Sequence, residues 1–211
     1  MKSVGRFGVA AAALAMLAGQ AGAQDSGIVR LEALGQALRG AAVWRADYHQ
    51  VYLPAGMNKG EELAGVVWAA WPDQALFRTG DPVQRLMGLD GRRVRLVDLE
   101  VPSCDEHQLD DDEWARVPLA AVLDPQSAID HFTVLDSGER GFVLVPREPG
   151  GVDRVEVVLD ESDLPLEVVV IDPQGATNRL RFTGWQKTDA PPDGSWLPVA
   201  PPGLECVGDE F

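Results

Sequence analysis

Three histidines, His49, His107 and His131, stand apart in the chain, without the H-E-x-x-H or comparable spacing that would hold a zinc ion. Ser162 and Ser195 have no base that the sequence places beside them. Neither a G-x-S-x-G elbow nor a phosphate-cradling glycine loop occurs. Asp105, Glu106, His107 and the run Asp110 to Asp112 could gather round a cation, but they lack the alternating ligands and the glycine of a calcium loop and read as a solvated acidic loop. These residues predict a protein that is not an enzyme and uses no cofactor or metal. Two cysteines remain, Cys104 and Cys206, at a spacing that suits neither a metal site nor a C-x-x-C redox motif. In an oxidising compartment a disulfide between them would tie the tail to the middle of the chain; a pair of buried free thiols is the alternative.

The chemistry left is binding. Of the six tryptophans, Trp44, Trp68, Trp71 and Trp185 fall in or beside stretches with strand character. Such rings present much apolar area at small entropic cost, so they serve either an ordinary core or the wall of a lipid-sized cavity, depending on whether they converge.

The N-terminus limits where such binding takes place. Lys2 and Arg6, the uncharged stretch Gly8 to Ala18, and Ala21-Gly22-Ala23 form the three parts of a secretory signal, too short to stay in a bilayer as a spanning helix. Cleavage after Ala23 is expected. The first mature residue is then Gln24, where a lipoprotein would carry an acylated cysteine, so an unanchored protein is expected. The remaining 188 of the 211 residues (211 less 23) suit one domain with a sizeable core, residues 24–211. The formal net charge is −15, and losing the two basic residues of the signal takes it to −17. Such a surface repels nucleic acid and anionic headgroups.

Residues Ile28 to Leu38 repeat apolar side chains at helical spacing and stop at Gly40. From Val43 the period becomes two: Trp44, Ala46, Tyr48, Gln50 and Tyr52 share a face opposite Arg45, Asp47 and His49. Further strands are expected at Gly65 to Trp71, Ala75 to Arg78, Leu86 to Leu89 and Val94 to Leu99, the last two joined by the hairpin signal Asp90-Gly91. The strand pattern lapses from Val101 to His131, with helical pieces expected around Trp114 to Leu123 and Ser127 to Phe132. It resumes at Phe142 to Val145, Val155 to Leu159, Leu166 to Ile171 and Arg179 to Phe182, before a Pro- and Gly-rich tail. The order is helix, antiparallel strands, helical insert, strands, tail. A long antiparallel sheet needs its apolar face covered, and the helices are the available covers.

The motifs in this order resemble the periplasmic outer-membrane lipoprotein carriers, the LolA family. An aromatic-x-Ala-x-aromatic-x-Gln strand is matched by Trp44, Ala46, Tyr48 and Gln50. A Gly, apolar pair and Trp ahead of a Pro are matched by Gly65-Val66-Val67-Trp68 and Pro72, followed by Leu76-Phe77-Arg78. The Asp90-Gly91 hairpin, Phe142-Val143-Leu144-Val145-Pro146, Val157 to Asp160 with Leu164-Pro165, and Asn178 to Phe182 continue the series. Trp196 and Pro202-Gly203 resemble the family's ending. Each motif is weak alone; the order carries the likeness, over nearly the whole mature chain.

The resemblance implies a mainly β fold, a half-open antiparallel barrel under a helical lid. It implies a monomeric periplasmic carrier that shields the acyl chains of a lipoprotein or a related lipid, between an inner-membrane donor complex and an outer-membrane acceptor. Trp44, Tyr48, Trp71, Phe77, Phe142, Leu144, Leu180 and Phe182 are expected to line its cavity. The chain departs from the family at Trp71, where an Arg linked to lid closure and release precedes the Pro, with Arg45 or Arg78 as candidate substitutes. Two other functions compete. Related half-barrels sense mislocalised lipid and bind an anti-sigma partner, but they carry a further C-terminal domain. A hydrolase acting on lipid would need a nucleophile and base that the sequence does not show.

Overall fold

A computed structural model describes residues 26–115 and 118–208; the expected signal and its cleavage site lie outside them. Twelve strands form one sheet: β1 (Val43–Leu53), β2 (Glu61–Ala70), β3 (Gln74–Thr79), β4 (Arg85–Asp90), β5 (Arg93–Asp98), β6 (Ser103–Gln108), β7 (Phe132–Asp136), β8 (Gly141–Pro146), β9 (Arg154–Leu159), β10 (Pro165–Ile171), β11 (Thr177–Thr188) and β12 (Val207–Gly208). Their order across the sheet is β12-β6-β5-β4-β3-β2-β1-β11-β10-β9-β8-β7. Every pairing is antiparallel except β12 on β6. The sheet curves but does not close, and strands from both sides of the helical insert meet where β1 pairs with β11.

The alternation expected for β1 is present. Trp44, Ala46 and Tyr48 are buried on the inner face, while Asp47 and His49 are exposed. For β2 the sequence left the faces ambiguous, and the structure turns Val67 and Ala69 toward the cavity. Three strands escaped the sequence reading. In β6, Ser-Cys-Asp-Glu-His-Gln has almost no apolar signal; it pairs along its length with β5, where Arg95 lies opposite Glu106 and donates to its carboxylate. In β7, Phe132 and Val134 are buried on one face of only five residues, and the helical reading ran over its start. The two-residue β12 follows no pattern of its own; it sits beside β6, where Cys206 is bonded to Cys104.

Among the described residues, four α-helices cover the concave face. Helix α1, residues 26–38, spans about 20 Å. Its start is fixed at the far side of the sheet, where Arg30 donates to the Asp136 carboxylate and to the carbonyls of Glu139 and Gly141. Its end is fixed at β1, where Trp44 Nε1 donates to Leu38 O at 3.0 Å. From β1 to β8 is four strand spacings, about 19 Å along the sheet, so the helix length matches the half-sheet that it crosses. Leu31, Leu34 and Leu38 form one core with Phe142, Leu144, Val155 and Val157.

The helical pieces expected around Trp114 to Leu123 and Ser127 to Phe132 correspond to helices α2 (Asp111–Ala115), α3 (Pro118–Leu123) and α4 (Pro125–His131), the last two beginning at Pro118 and Pro125. Proline lacks the N–H that a continuing helix needs but fits a first turn. The acidic run read as a solvated loop instead caps and enters α2: Asp110 Oδ1 accepts from Glu113 N at 2.7 Å, and Glu113 Oε2 accepts from Asp110 N at 2.9 Å, a reciprocal capping box.

The tail crosses the outer face. Leu197 is buried there, and Arg95 Nη1 donates to Pro198 O at 3.0 Å. A Cβ at Gly88 of β4 would collide with Trp196 O and Pro198 Cδ, so this crossing requires glycine. The Cys104–Cys206 bond closes a separation of 102 residues. Cys206→Ser is expected to lower unfolding stability by about 2–4 kcal/mol, read as a lower urea midpoint, and dithiothreitol is expected to give the wild-type chain the same midpoint.

Candidate functional site

Helix α1 fills the concavity over β8 to β10, and α3 reaches over the other half. Between them lies a cavity of about 390 Å³, within the usual range of ligand pockets. Tyr48 and Gln50 of β1, Val67 and Ala69 of β2, Ala75 and Phe77 of β3, and Met87 and Leu89 of β4 form one side. Val168 and Val170 of β10 and Leu180, Phe182 and Trp185 of β11 form the other. Leu38 of α1 and Val122 and Leu123 of α3 close it.

The wall is apolar, and its few polar groups have partners. Tyr48 OH and Thr79 Oγ1 are 2.5 Å apart. Burial raises the Tyr48 pKa against the opposing effect of the Thr79 hydrogen bond, so the phenol is neutral at physiological pH. Gln50 Nε2 donates to Asn178 Oδ1 at 2.9 Å. Among the described residues no charged side chain lines the cavity, and no group of three or more His, Cys, Asp or Glu could hold a metal. The aromatic rings are mutually braced: Tyr48 and Phe77 meet edge to face at 5.3 Å, and Phe182 and Trp185 lie 5.5 Å apart. Trp185 Nε1 donates to Pro165 O at 2.7 Å. Such a surface solvates hydrocarbon and offers nothing to an anion.

Of the eight residues expected on the wall, the structure brings four together there: Tyr48, Phe77, Leu180 and Phe182. Trp44, Phe142 and Leu144 face inward but are packed into the core with α1 rather than facing the space. Their strand parity was legible; the path of the helix over them was not. Trp71 lies at the β2–β3 turn, 40% exposed, with the Arg39 guanidinium 5.1 Å from its ring centre. The wall residues that went unselected include Val67, Ala69 and Met87. Their signal was present as inward parity next to Phe77, but both parities of β2 are apolar.

Neither candidate for the displaced family Arg reaches the cavity. Arg45 pairs with Asp47 at 2.7 Å, and Arg78 lines a groove shared with Asp47, Trp68 and Asp81. An arginine that meets the helical insert is Arg92, directly after the Asp90-Gly91 turn. Its guanidinium lies 4.6 Å from the Trp114 ring centre, and it pairs with Asp111 at 3.1 Å. Beside it, burial raises the Asp73 pKa, aided by the charges of Asp90 and Asp124 and opposed by Arg92. This charged junction ties the tip of the β4–β5 hairpin to the insert. Arg92→Ala is expected to speed amide exchange across α2 and α3 at least several-fold while leaving β1 and β11 protected, measured by hydrogen–deuterium exchange.

The chain is 22% identical to an outer-membrane lipoprotein carrier protein of Dechloromonas aromatica (strain RCB), with 93% of each chain covered. It is 23% identical to one of Pseudomonas putida (strain GB-1), covering 98% of this chain and 99% of that protein. Among solved structures it is similar to a LolA superfamily protein from Nitrosomonas europaea, with TM-score 0.43 and 8% identity, covering 78% of this chain and 94% of that one. Residues 39–196, from the end of α1 to the tail that crosses Gly88, match the family of outer membrane lipoprotein carrier protein LolA, and the chain belongs to that family.

Proposed function

We propose that this protein is a periplasmic, non-enzymatic carrier that takes acyl chains of a lipoprotein or a related lipid into its cavity and moves them between the inner and outer membranes. The observation that carries the reading is the uncharged, apolar cavity between the sheet and α3. Each methylene moved from water into such a space contributes about 0.8 kcal/mol, which is what an acyl chain needs to cross an aqueous gap. The LolA family match and the lipoprotein carriers to which the chain is similar support it. No helix among the described residues is long and apolar enough to cross a membrane. Donor and acceptor complexes at the two membranes complete the proposed route, with the carrier acting as a monomer.

Uptake is read from tryptophan fluorescence. Trp185 lies on the wall against Phe182, so a delipidated sample titrated with a brominated fatty acid is expected to show saturable quenching that Trp185→Phe reduces. A delipidated sample that takes up no acyl probe and shows unchanged fluorescence would refute the carrier reading.

A further inference from the structure

The carrier reading leaves open which way a chain lies in the cavity and what limits its length. Paired residues of neighbouring strands form rows across the inner face. Trp44, Ala69, Ala75, Leu89 and Val94 make the first row, and Ala46, Val67, Phe77, Met87 and Leu96 the second. The one hydrogen-bonding side-chain group in these two rows is Trp44 Nε1, and it already donates to Leu38 O. Polar side chains begin with the third row, which holds Tyr48, Thr79, Arg85 and Asp98. Gln50 and Asn178 lie further in the same direction.

Exposure changes the same way on four strands. On β1 it passes from buried Ala46 and Tyr48 to half-buried Gln50 and to Tyr52, 43% exposed. On β4 Leu89 is buried and Met87 half-buried; on β10 Val168 is buried and Val170 half-buried; on β11 Phe182 is buried, and Leu180 and Asn178 are half-buried. The first row is therefore the closed end. Leu38 of α1 adjoins Trp44 there. Just past Leu89, Arg92 ties the hairpin to α2 through Asp111 and the Trp114 ring. Trp185, between the partners of Arg45 and Asp47, stands near this end. Methylenes are at home against the first two rows, whereas a headgroup there would give up its water for no hydrogen bond.

Resting on the carrier reading, we propose that an acyl chain enters methyl end first and that Ala69, Ala75 and Leu89 form a floor that sets the longest chain the cavity holds in full. The ligand class is then a linear acyl chain selected by length, with its headgroup left at the Gln50, Tyr52 and Asn178 end. Methylenes beyond the limit stay at that open end, beside half-exposed Tyr52, and add little to affinity. The acyl chain of a lipoprotein and that of a free lipid present the same methyl end to the floor.

The test measures affinities of delipidated protein, by competition with a fluorescent fatty acid, for two series of increasing chain length: free fatty acids and short N-acylated peptides. In each, affinity is expected to rise about four-fold per added methylene and then level off. Both series are expected to level off at the same length, and the tighter one identifies a free lipid or an acylated protein as the source. In Ala69→Phe the plateau is expected roughly four carbons earlier, the methylenes that the ring excludes, with shorter chains bound as by wild type. Direction is read separately. Hexadecanoic acid brominated at its methyl end is expected to quench Trp185 more than the same acid brominated beside its carboxyl group, measured as the quenching lost in Trp185→Phe. This pair decides the matter if Ala69→Phe does not fold. Affinity that never levels off, a plateau at one length in wild type and folded Ala69→Phe, or stronger quenching from the carboxyl end overturns the proposal and leaves the carrier reading standing. Binding of neither series overturns both.

Discussion

Ala69→Phe is expected to weaken acyl-chain binding by about a hundred-fold while leaving thermal stability equal or higher. Ala69 is on the cavity wall and buried within β2, opposite Trp44 of β1 and Ala75 of β3. Its methyl adjoins empty space, so a phenyl ring there enters the cavity without displacing packed atoms. The ring excludes roughly four methylenes of ligand at about 0.8 kcal/mol each, about 3 kcal/mol in all. Filling a void adds apolar contacts, so the usual cost of overpacking is absent. Titration with a fluorescent fatty acid and a thermal melt on the same sample measure both quantities. Unchanged affinity would place the acyl chain elsewhere.

Phe142→Ala is expected to do the reverse. Phe142 of β8 is 0% exposed and packs in one core with Leu31 and Leu34 of α1. Truncating a buried phenylalanine costs about 3–5 kcal/mol, a large part of the roughly 5–15 kcal/mol that holds a domain folded. A loss of unfolding free energy of that size is expected from urea titration, with affinity per folded molecule within two-fold of wild type. Phe182→Ala supplies the contrast: it removes a wall ring that faces Trp185 at 5.5 Å, so it should change ligand affinity as well as stability. The two phenylalanines are alike in the sequence, each at an inward position of a β-strand. They separate only because α1 ends at Leu38 beside Trp44: Phe142 is under the helix and Phe182 is beyond it.

That separation marks the limit of what pattern alone conveys. The alternation of Trp44, Ala46 and Tyr48 announced the inner face of β1, because side chains in a strand point to opposite sides every residue. The Asp90-Gly91 turn announced a hairpin, because Gly91 adopts φ +62° at no steric cost. Helix α1 was visible in its apolar spacing. These are local effects, set by neighbours within a few residues. Strand β6, second from the sheet edge, was invisible for the opposite reason. Beside its backbone ladder with β5, its side chains are held by Arg95 and by a cysteine bonded 102 residues away, and neither leaves a periodic trace. Arg92 escaped notice likewise, since its partners Asp111 and Trp114 belong to the insert.

By itself the sequence determined the mainly β class, the inward faces of its clearest strands, the helix that covers them, and the absence of recognisable catalytic or metal-binding patterns. Those follow from period, turn chemistry and side-chain type, all of which are properties of short stretches. Tertiary structure alone decided that α1 crosses just half of the sheet, that α3 reaches over the other half, and that about 390 Å³ remains between the two covers. A cavity is the space left when two covers of fixed length fail to meet over a curved face, and no residue encodes that space on its own.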